Sequence, residues 1–220
     1  MTAGDRRPLV LRGLAWIRAL AGALARRGVS PNTISVWGLL FAITAGGAWA
    51  LTSLAPGLER LLWLCGLALV VLRILANTLD GLVAVECGKA SRTGLLYNEA
   101  PDRMSDTALL IGVGYAHGGS PELGFLAACI ALFVSYVRIL SRVAGASSDF
   151  GGPMNKGGRM LTLMMASLYM GLAPASWHFT WGPGGAWGIA AAALALVAVG
   201  GVYTAARRLA RAAADLRSKN

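Results

Sequence analysis

Asn77, Asp80, Asn98, Asp102 and Asp106 are the side chains in this sequence best suited to hold a cation. Asn77 and Asp80 are three residues apart. Asn98, Asp102 and Asp106 follow one another at intervals of four, with Gly94 one interval earlier. On helices, each set shares one face. A purely oxygen donor set, with no His or Cys nearby, suits a hard cation such as Mg2+ or Mn2+. Such ions work with phosphates, bridging substrate oxygens and neutralising charge that builds up during transfer. Gly81, Ala84 and Gly94 leave room for a bulky headgroup to reach the backbone, and Lys89 and Arg92, in the intervening loop, are placed to meet phosphate.

The elements that must position these residues are greasy. Half of the chain's ten acidic residues lie between positions 77 and 106, with nearly pure apolar sequence on both sides. The chain is 56% hydrophobic and 14% charged, where a soluble domain carries about 25% charged residues. Runs of about 20 apolar residues are long enough to cross a bilayer. Six such spans are expected, at about 33–53, 61–84, 94–116, 122–141, 160–177 and 185–206. An ionised carboxylate at membrane depth costs about 2.5–3.5 kcal/mol, a penalty that a divalent cation or a proton removes.

Ahead of the first span, Arg6, Arg7, Arg12, Arg18, Arg26 and Arg27 punctuate Leu, Trp and Ile at helical spacing. This predicts an amphipathic helix lying on the membrane surface. The fold class is therefore an all-α polytopic membrane protein with six transmembrane helices behind a surface helix. Its parts are a juxtamembrane segment at 1–30, a six-helix domain at 31–210 and a basic tail at 211–220. Twenty-nine glycines and many alanines suit close helix approach in lipid.

The net charge of +10 fits either nucleic acid or a membrane surface. The apolar runs decide for the membrane, with no nucleic-acid partner. Lys89, Arg92, Arg142, Lys156, Arg159 and the C-terminal arginines fall on one side, and Arg60 stands on the other. That asymmetry predicts both termini and the acidic cluster on the cytoplasmic face of a bacterial-type inner membrane. Cys65, Cys87 and Cys129 lack the spacing of a zinc or disulfide framework, and no cleavable leader is expected. Trp177, Trp181 and Trp187 suit an aromatic belt.

The stretch runs Asn77-x2-Asp80-Gly81-x2-Ala84-Val85-x8-Gly94-x3-Asn98-x3-Asp102. It resembles the CDP-alcohol phosphotransferases, whose pattern is D-x2-D-G-x2-A-R-x8-G-x3-D-x3-D. Every spacing is kept and five of eight motif positions match. SPNTIS (30–35) is similar to the family's G-x-x-P-N-x-x-(S/T) entry segment, and SYVRIL followed by GGPMNKGGRM is similar to its basic loop after the fourth span. The departures are Asn77 and Asn98 for aspartates and Val85 for arginine.

The resemblance implies two metals bound through four aspartates, the last also serving as general base. Carried onto this chain, it implies one or two Mg2+ or Mn2+ ions held by Asn77, Asp80, Asn98, Asp102 and Asp106. Asp102 is then the catalytic base, with Asp106 in reserve. Arg73, Arg92 and Arg103 are alternative replacements for the arginine lost at Val85. A CDP-linked lipid, CDP-diacylglycerol above all, would meet Asp80, Gly81, Ala84, Lys89, Arg92 and Gly94. Arg138, Arg142, Lys156 and Arg159 would receive a small polar alcohol or sugar-phosphate acceptor, or else touch lipid headgroups as positive-inside residues. The family also implies a homodimer. Three other readings compete: a relative that binds CDP-lipid without turnover, an ion pathway, and mere pairing of Asp80 and Asp102 with Arg73 and Arg103. An ion pathway needs acidic groups through the membrane's depth, and here they gather at one face.

Overall fold

A computed structural model describes residues 14–85, 87–88 and 93–219. Seven α-helices account for most of them: α1 (Ala15–Arg26), α2 (Pro31–Leu51), α3 (Glu59–Val85), α4 (Gly94–Gly114), α5 (Pro121–Val143), α6 (Lys156–Leu172) and α7 (Ile189–Arg217). Among the described residues there is no strand, only one isolated bridge between Trp181 and Trp187.

Helix starts follow local chemistry. Ser30 Oγ accepts from Thr33 N at 3.1 Å ahead of Pro31, and Ser120 Oγ accepts from Leu123 N at 3.3 Å ahead of Pro121. A side-chain cap and a proline in the first turn both satisfy the unpaired end of a helix. Asn155 caps α6 by accepting from the backbone of Gly157 and Gly158.

The helices occupy the places of the six expected spans. Four of them, α2, α3, α5 and α7, are long and apolar enough to cross a membrane by length and composition. The other two fall short for identifiable reasons: α4 carries Glu99, Asp102, Arg103 and Asp106, and α6 is 17 residues long. α7 continues past position 210 to Arg217, into the basic stretch at the end of the sequence.

α2 packs on α3 and α4, α5 on α4 and α7, and α6 on α3 and α7. The α2–α4 crossing depends on two glycines. A Cβ on Gly112 would lie 2.4 Å from the Gly46 backbone, and one on Gly46 would lie 2.5 Å from Ala108 O. The core beside them is built from Ala42, Ala45, Trp49, Trp63, Leu109 and Val113. The rings of Trp49 and Trp63 sit 5.9 Å apart. A second apolar cluster joins Ile17 and Ala21 of α1 to Ile34 of α2 and to Ala76, Leu79 and Val83 of α3. α1 turns Trp16 and Leu20 outward beside exposed Arg18.

The segment between α5 and α6 is fastened to α7. Ser147 N donates to Asp215 Oδ2 at 2.6 Å, Arg208 Nε donates to Gly151 O at 3.0 Å, and Met154 N donates to Thr204 Oγ1 at 3.1 Å. Gly152 sits in this run at φ +111°, where any side chain would also strike Thr204. These ties set where α6 begins.

Candidate active site

The last turns of α3 and the first turns of α4 enclose a cleft lined by Ser35, Gly38, Leu39, Arg73, Asn77, Asp80, Asn98, Pro101, Asp102 and Ser105. Four of the five expected oxygen donors therefore converge on it: Asn77 and Asp80 from α3, Asn98 and Asp102 from α4. Pro101 interrupts the run of backbone N–H donors in the first turns of α4. Asp80 is buried and accepts from Ser35 Oγ at 2.7 Å. Ser35 is the last residue of the SPNTIS segment, so that motif delivers a hydroxyl to the acidic cluster.

Asp102 sits among cations. Its Oδ2 accepts from Lys156 Nζ at 2.5 Å, and its Oδ1 lies 3.4 Å from Arg73 Nη2 and 3.5 Å from Asn77 Nδ2. Arg103, its sequence neighbour, reaches only to 4.0 Å and pairs better with Glu99 at 3.2 Å. Arg73 is thus the arginine that enters the cleft, and pairing accounts for part of Asp102's environment but leaves Asp80 bonded to a neutral hydroxyl.

The fifth donor is placed elsewhere. Asp106 shares a helix face with Asp102, yet it is fully buried and absent from the cleft wall. Arg73 Nη2 donates to its Oδ1 at 3.2 Å and Arg159 Nη2 to its Oδ2 at 2.5 Å. Both of its oxygens are engaged by guanidinium groups, so Asp106 anchors two arginines. Arg159, expected at the acceptor, is buried and also donates to Met154 O at 2.9 Å.

The rest of the expected acceptor set separates. Lys156 reaches the cleft wall, where besides Asp102 it bonds Asn77 Oδ1 at 2.7 Å. Arg142 is exposed near the end of α5. Arg138 pairs with Glu99 at 2.5 Å, and its guanidinium lies 5.3 Å from the centroid of the Phe150 ring. Arg138 also borders a second cavity of about 250 Å³, lined by Ser141, Ser147, Ser148, Asp149, Arg208, Arg211 and Ala212. Arg208 and Arg211 were not singled out from the sequence, where they read as positive-inside tail residues. That they line one cavity with Arg138, from α7 and α5, is a tertiary fact. Gly81, Ala84 and Gly94 are half-buried at the ends of α3 and α4, and Lys89 and Arg92 lie outside the described residues.

The donor chemistry of the cleft fits a hard divalent cation: two carboxylates, two amide oxygens and a hydroxyl, with no soft ligand. Among the described residues, no three His, Cys, Asp or Glu side chains group closely enough to hold a metal by themselves. The oxygen-bearing side chains that α3 and α4 bring to the cleft wall are Asp80, Asp102, Asn77, Asn98 and Ser105.

Residues 28–203 match the family described as CDP-alcohol phosphatidyltransferase, which spans the cleft and nearly all of α2–α7. The chain belongs to the CDP-alcohol phosphatidyltransferase family. It is accordingly a membrane transferase of phospholipid biosynthesis. It is 28% identical over 153 residues to an archaetidylinositol phosphate synthase of Pyrococcus horikoshii, covering 70% of this chain and 77% of that one. It is 29% identical over 196 residues to a phosphatidylinositol phosphate synthase of Streptomyces avermitilis, covering 86% and 74%. Its fold is shared with the phosphatidylinositol phosphate synthase of Mycobacterium tuberculosis solved in complex with manganese and citrate. That match has a TM-score of 0.70 and 20% identity, covering 89% of this chain and 88% of that one. The same mycobacterial synthase solved with CDP-DAG bound matches at TM-score 0.67 and 20% identity, covering 89% and 92%.

Proposed function

We propose that this phosphatidyltransferase moves a phosphatidyl group from CDP-diacylglycerol to a hydroxyl of a phosphorylated polyol, releasing CMP. The observation that carries the reading is the meeting of Asn77, Asp80, Asn98 and Asp102 on one cleft at the ends of α3 and α4. The mycobacterial synthase that shares the fold binds CDP-DAG in one structure and manganese in another. Four phosphatidylinositol phosphate synthases among the relatives point to a phosphate-bearing acceptor.

Mg2+ or Mn2+, held by Asp80, Asp102 and the amide oxygen of Asn98, would neutralise charge on the diphosphate and on departing CMP. The side chains do the rest. Asp102 takes the proton of the acceptor hydroxyl. The freed oxygen forms a bond to the lipid-side phosphorus, and the bond from that phosphorus to the bridging oxygen breaks, so CMP leaves with the electron pair. The CDP moiety lies along Asp80, Gly81, Ala84 and Gly94. Arg138, Arg208 and Arg211 take the acceptor's phosphate, because guanidinium groups match its oxygens in pairs. Asp106 and Arg159 hold α4 against α6 under the cleft.

The reading also sets the protein in a membrane. α2–α7 make six crossings of a bacterial inner membrane, α1 lies on its surface, and both termini and the cleft face the cytoplasm. Outward Leu40, Ile43, Leu61, Val71, Phe125, Leu161, Leu196 and Val199 support a lipid-facing exterior. An inner membrane protein of Escherichia coli is 26% identical over 151 residues. Residues 1–30 form the juxtamembrane piece, 31–210 the catalytic domain and 211–220 the basic end. Two copies associate through the small-residue helices.

The test is CMP release by purified protein from CDP-diacylglycerol, with Mg2+ or Mn2+ and a panel including inositol phosphate, glycerol phosphate and their unphosphorylated forms. Metal-dependent release with phosphorylated acceptors is expected. Tight CDP-lipid binding without CMP release from any acceptor supports the second reading, a binding protein, which the amides at 77 and 98 and Val85 favour.

A further inference from the structure

Two residues of the cleft wall are bonded to a positive charge that belongs to the chain itself. Lys156 Nζ lies 2.5 Å from Asp102 Oδ2 and 2.7 Å from Asn77 Oδ1. It therefore bridges α3 and α4 across the very donors a metal would use. A lysine that read only the acceptor's phosphate would face the arginine-lined cavity, and Lys156 is not part of that cavity's wall. Its position is fixed from behind. It is the first residue of α6, directly after the Asn155 cap, and the preceding segment is tied to α7 through Met154 N and Gly151 O.

The charges around the cleft decide how many further cations it accepts. Asp106 is neutralised by Arg73 and Arg159 and stays out of the wall. Two carboxylates then face the cleft, Asp80 and Asp102, and Lys156 has engaged one of them. An amide oxygen is a full acceptor for an ammonium proton but brings no negative charge to a dication. Asn77 is thus suited to the partner it has. Asp80, bonded only to a hydroxyl among the contacts described above, keeps its charge turned to the cleft beside Asn98. One dication satisfies the charge that remains. A second would meet neutral ligands and the Lys156 ammonium.

We propose that Lys156 acts as a built-in cation of this site, so that the chain binds one divalent ion, held by Asp80, Asp102 and Asn98, and no second ion beside Asn77. The proposal rests on reading this cleft as the transferase site. It assigns a reason to Asn77: its amide oxygen is the ligand of an ammonium rather than an eroded ligand of a metal.

The experiment counts ions rather than turnover. Full-length protein in nanodiscs is titrated with Mn2+ and free Mn2+ is read by electron paramagnetic resonance, with thermal unfolding followed on every sample to confirm folding. Wild type saturates at one Mn2+ per chain. Lys156→Arg, which keeps the charge, also saturates at one. Lys156→Met binds its Mn2+ roughly tenfold or more tightly, because a like charge at contact range has gone. Asn77→Asp with Asn98→Asp stays at one Mn2+ while Lys156 is present, and takes two, with a spin-coupled signal, when Lys156→Met is added. Two Mn2+ or none in wild type, two in the Asn77→Asp/Asn98→Asp protein, or unchanged affinity in Lys156→Met overturns the proposal. CMP release on the same samples separates the two claims. The expected count without CMP from any acceptor sinks the transfer reading alone, whereas CMP release with two bound ions sinks only this one.

Discussion

The bundle is held together in two different ways at its two ends. Around the cleft, α3, α4 and α6 are joined by charge: Arg73 and Arg159 share Asp106, and Lys156 shares Asp102 and Asn77. Where α2 crosses α4, contact is made by removal of side chains, with Gly46 and Gly112 backbone to backbone and tryptophans filling the space alongside. The first arrangement is directional and fails when one partner is lost, since the other is left buried and charged. The second is steric and fails when an atom is added. A transferase that must admit a charged headgroup at one end needs both: a polar network that can rearrange and a crossing that cannot.

That contrast can be broken most severely at the carboxylates facing the cleft. Asp80→Ala and Asp102→Ala are each expected to lower CMP release by roughly 10³-fold, within the range of a lost general base or charge-stabilising group. Asp106→Asn is expected to keep measurable turnover, because its oxygens serve arginines and not the cleft. Rates as severe as those of Asp102→Ala would reopen the assignment of the base. Next in size is Arg159→Met. It leaves Asp106 with one of its two partners gone and is expected to cost about 3–5 kcal/mol in chemical unfolding, with part recovered on adding Asp106→Asn. At the opposite end, Gly112→Ala forces a methyl into the Gly46 backbone and is expected to cost about 1–3 kcal/mol, while metal binding at the cleft is unchanged. If Gly112→Ala proves more damaging than Arg159→Met, the charged end is the softer of the two. Smallest is Glu99→Gln, which loosens half-buried Arg138 and Arg103. About 1 kcal/mol or less is expected, and the effect is read as a raised KM for the acceptor with little change in kcat.

What could be read before the structure depended on sequence distance. Asn77 with Asp80, and Asn98 with Asp102, are local helical pairs, and their two helices are adjacent, so spacing alone brought them together. The four-residue step from Asp102 to Asp106 also held, since Arg73 touches both. Depth was not legible. One further turn carries Asp106 from the cleft into the core, and only the position of Arg159, 53 residues on, turns that into a stable burial. Lys156 reaches Asn77 across 79 residues, a contact no local pattern announces. For α4, the apolar count was diluted by the very charges that line and support the site. Ser35 was visible only as one letter of a motif, and its hydrogen bond to Asp80 gives that letter a task.

The three ties between the α5–α6 segment and α7 leave the chain almost no slack just before Lys156. An extended residue spans about 3.5 Å, more than the length of either bond that the ammonium makes. Losing a single residue between Gly151 and Asn155 would therefore pull the amine off both oxygens even with every side chain of the cleft intact. Extra residues between Ser147 and Gly151, outside the tight interval, would merely bulge. The reach of a lysine on α6 is in this sense measured out by α7, a helix that contributes no ligand to the cleft and works as its ruler.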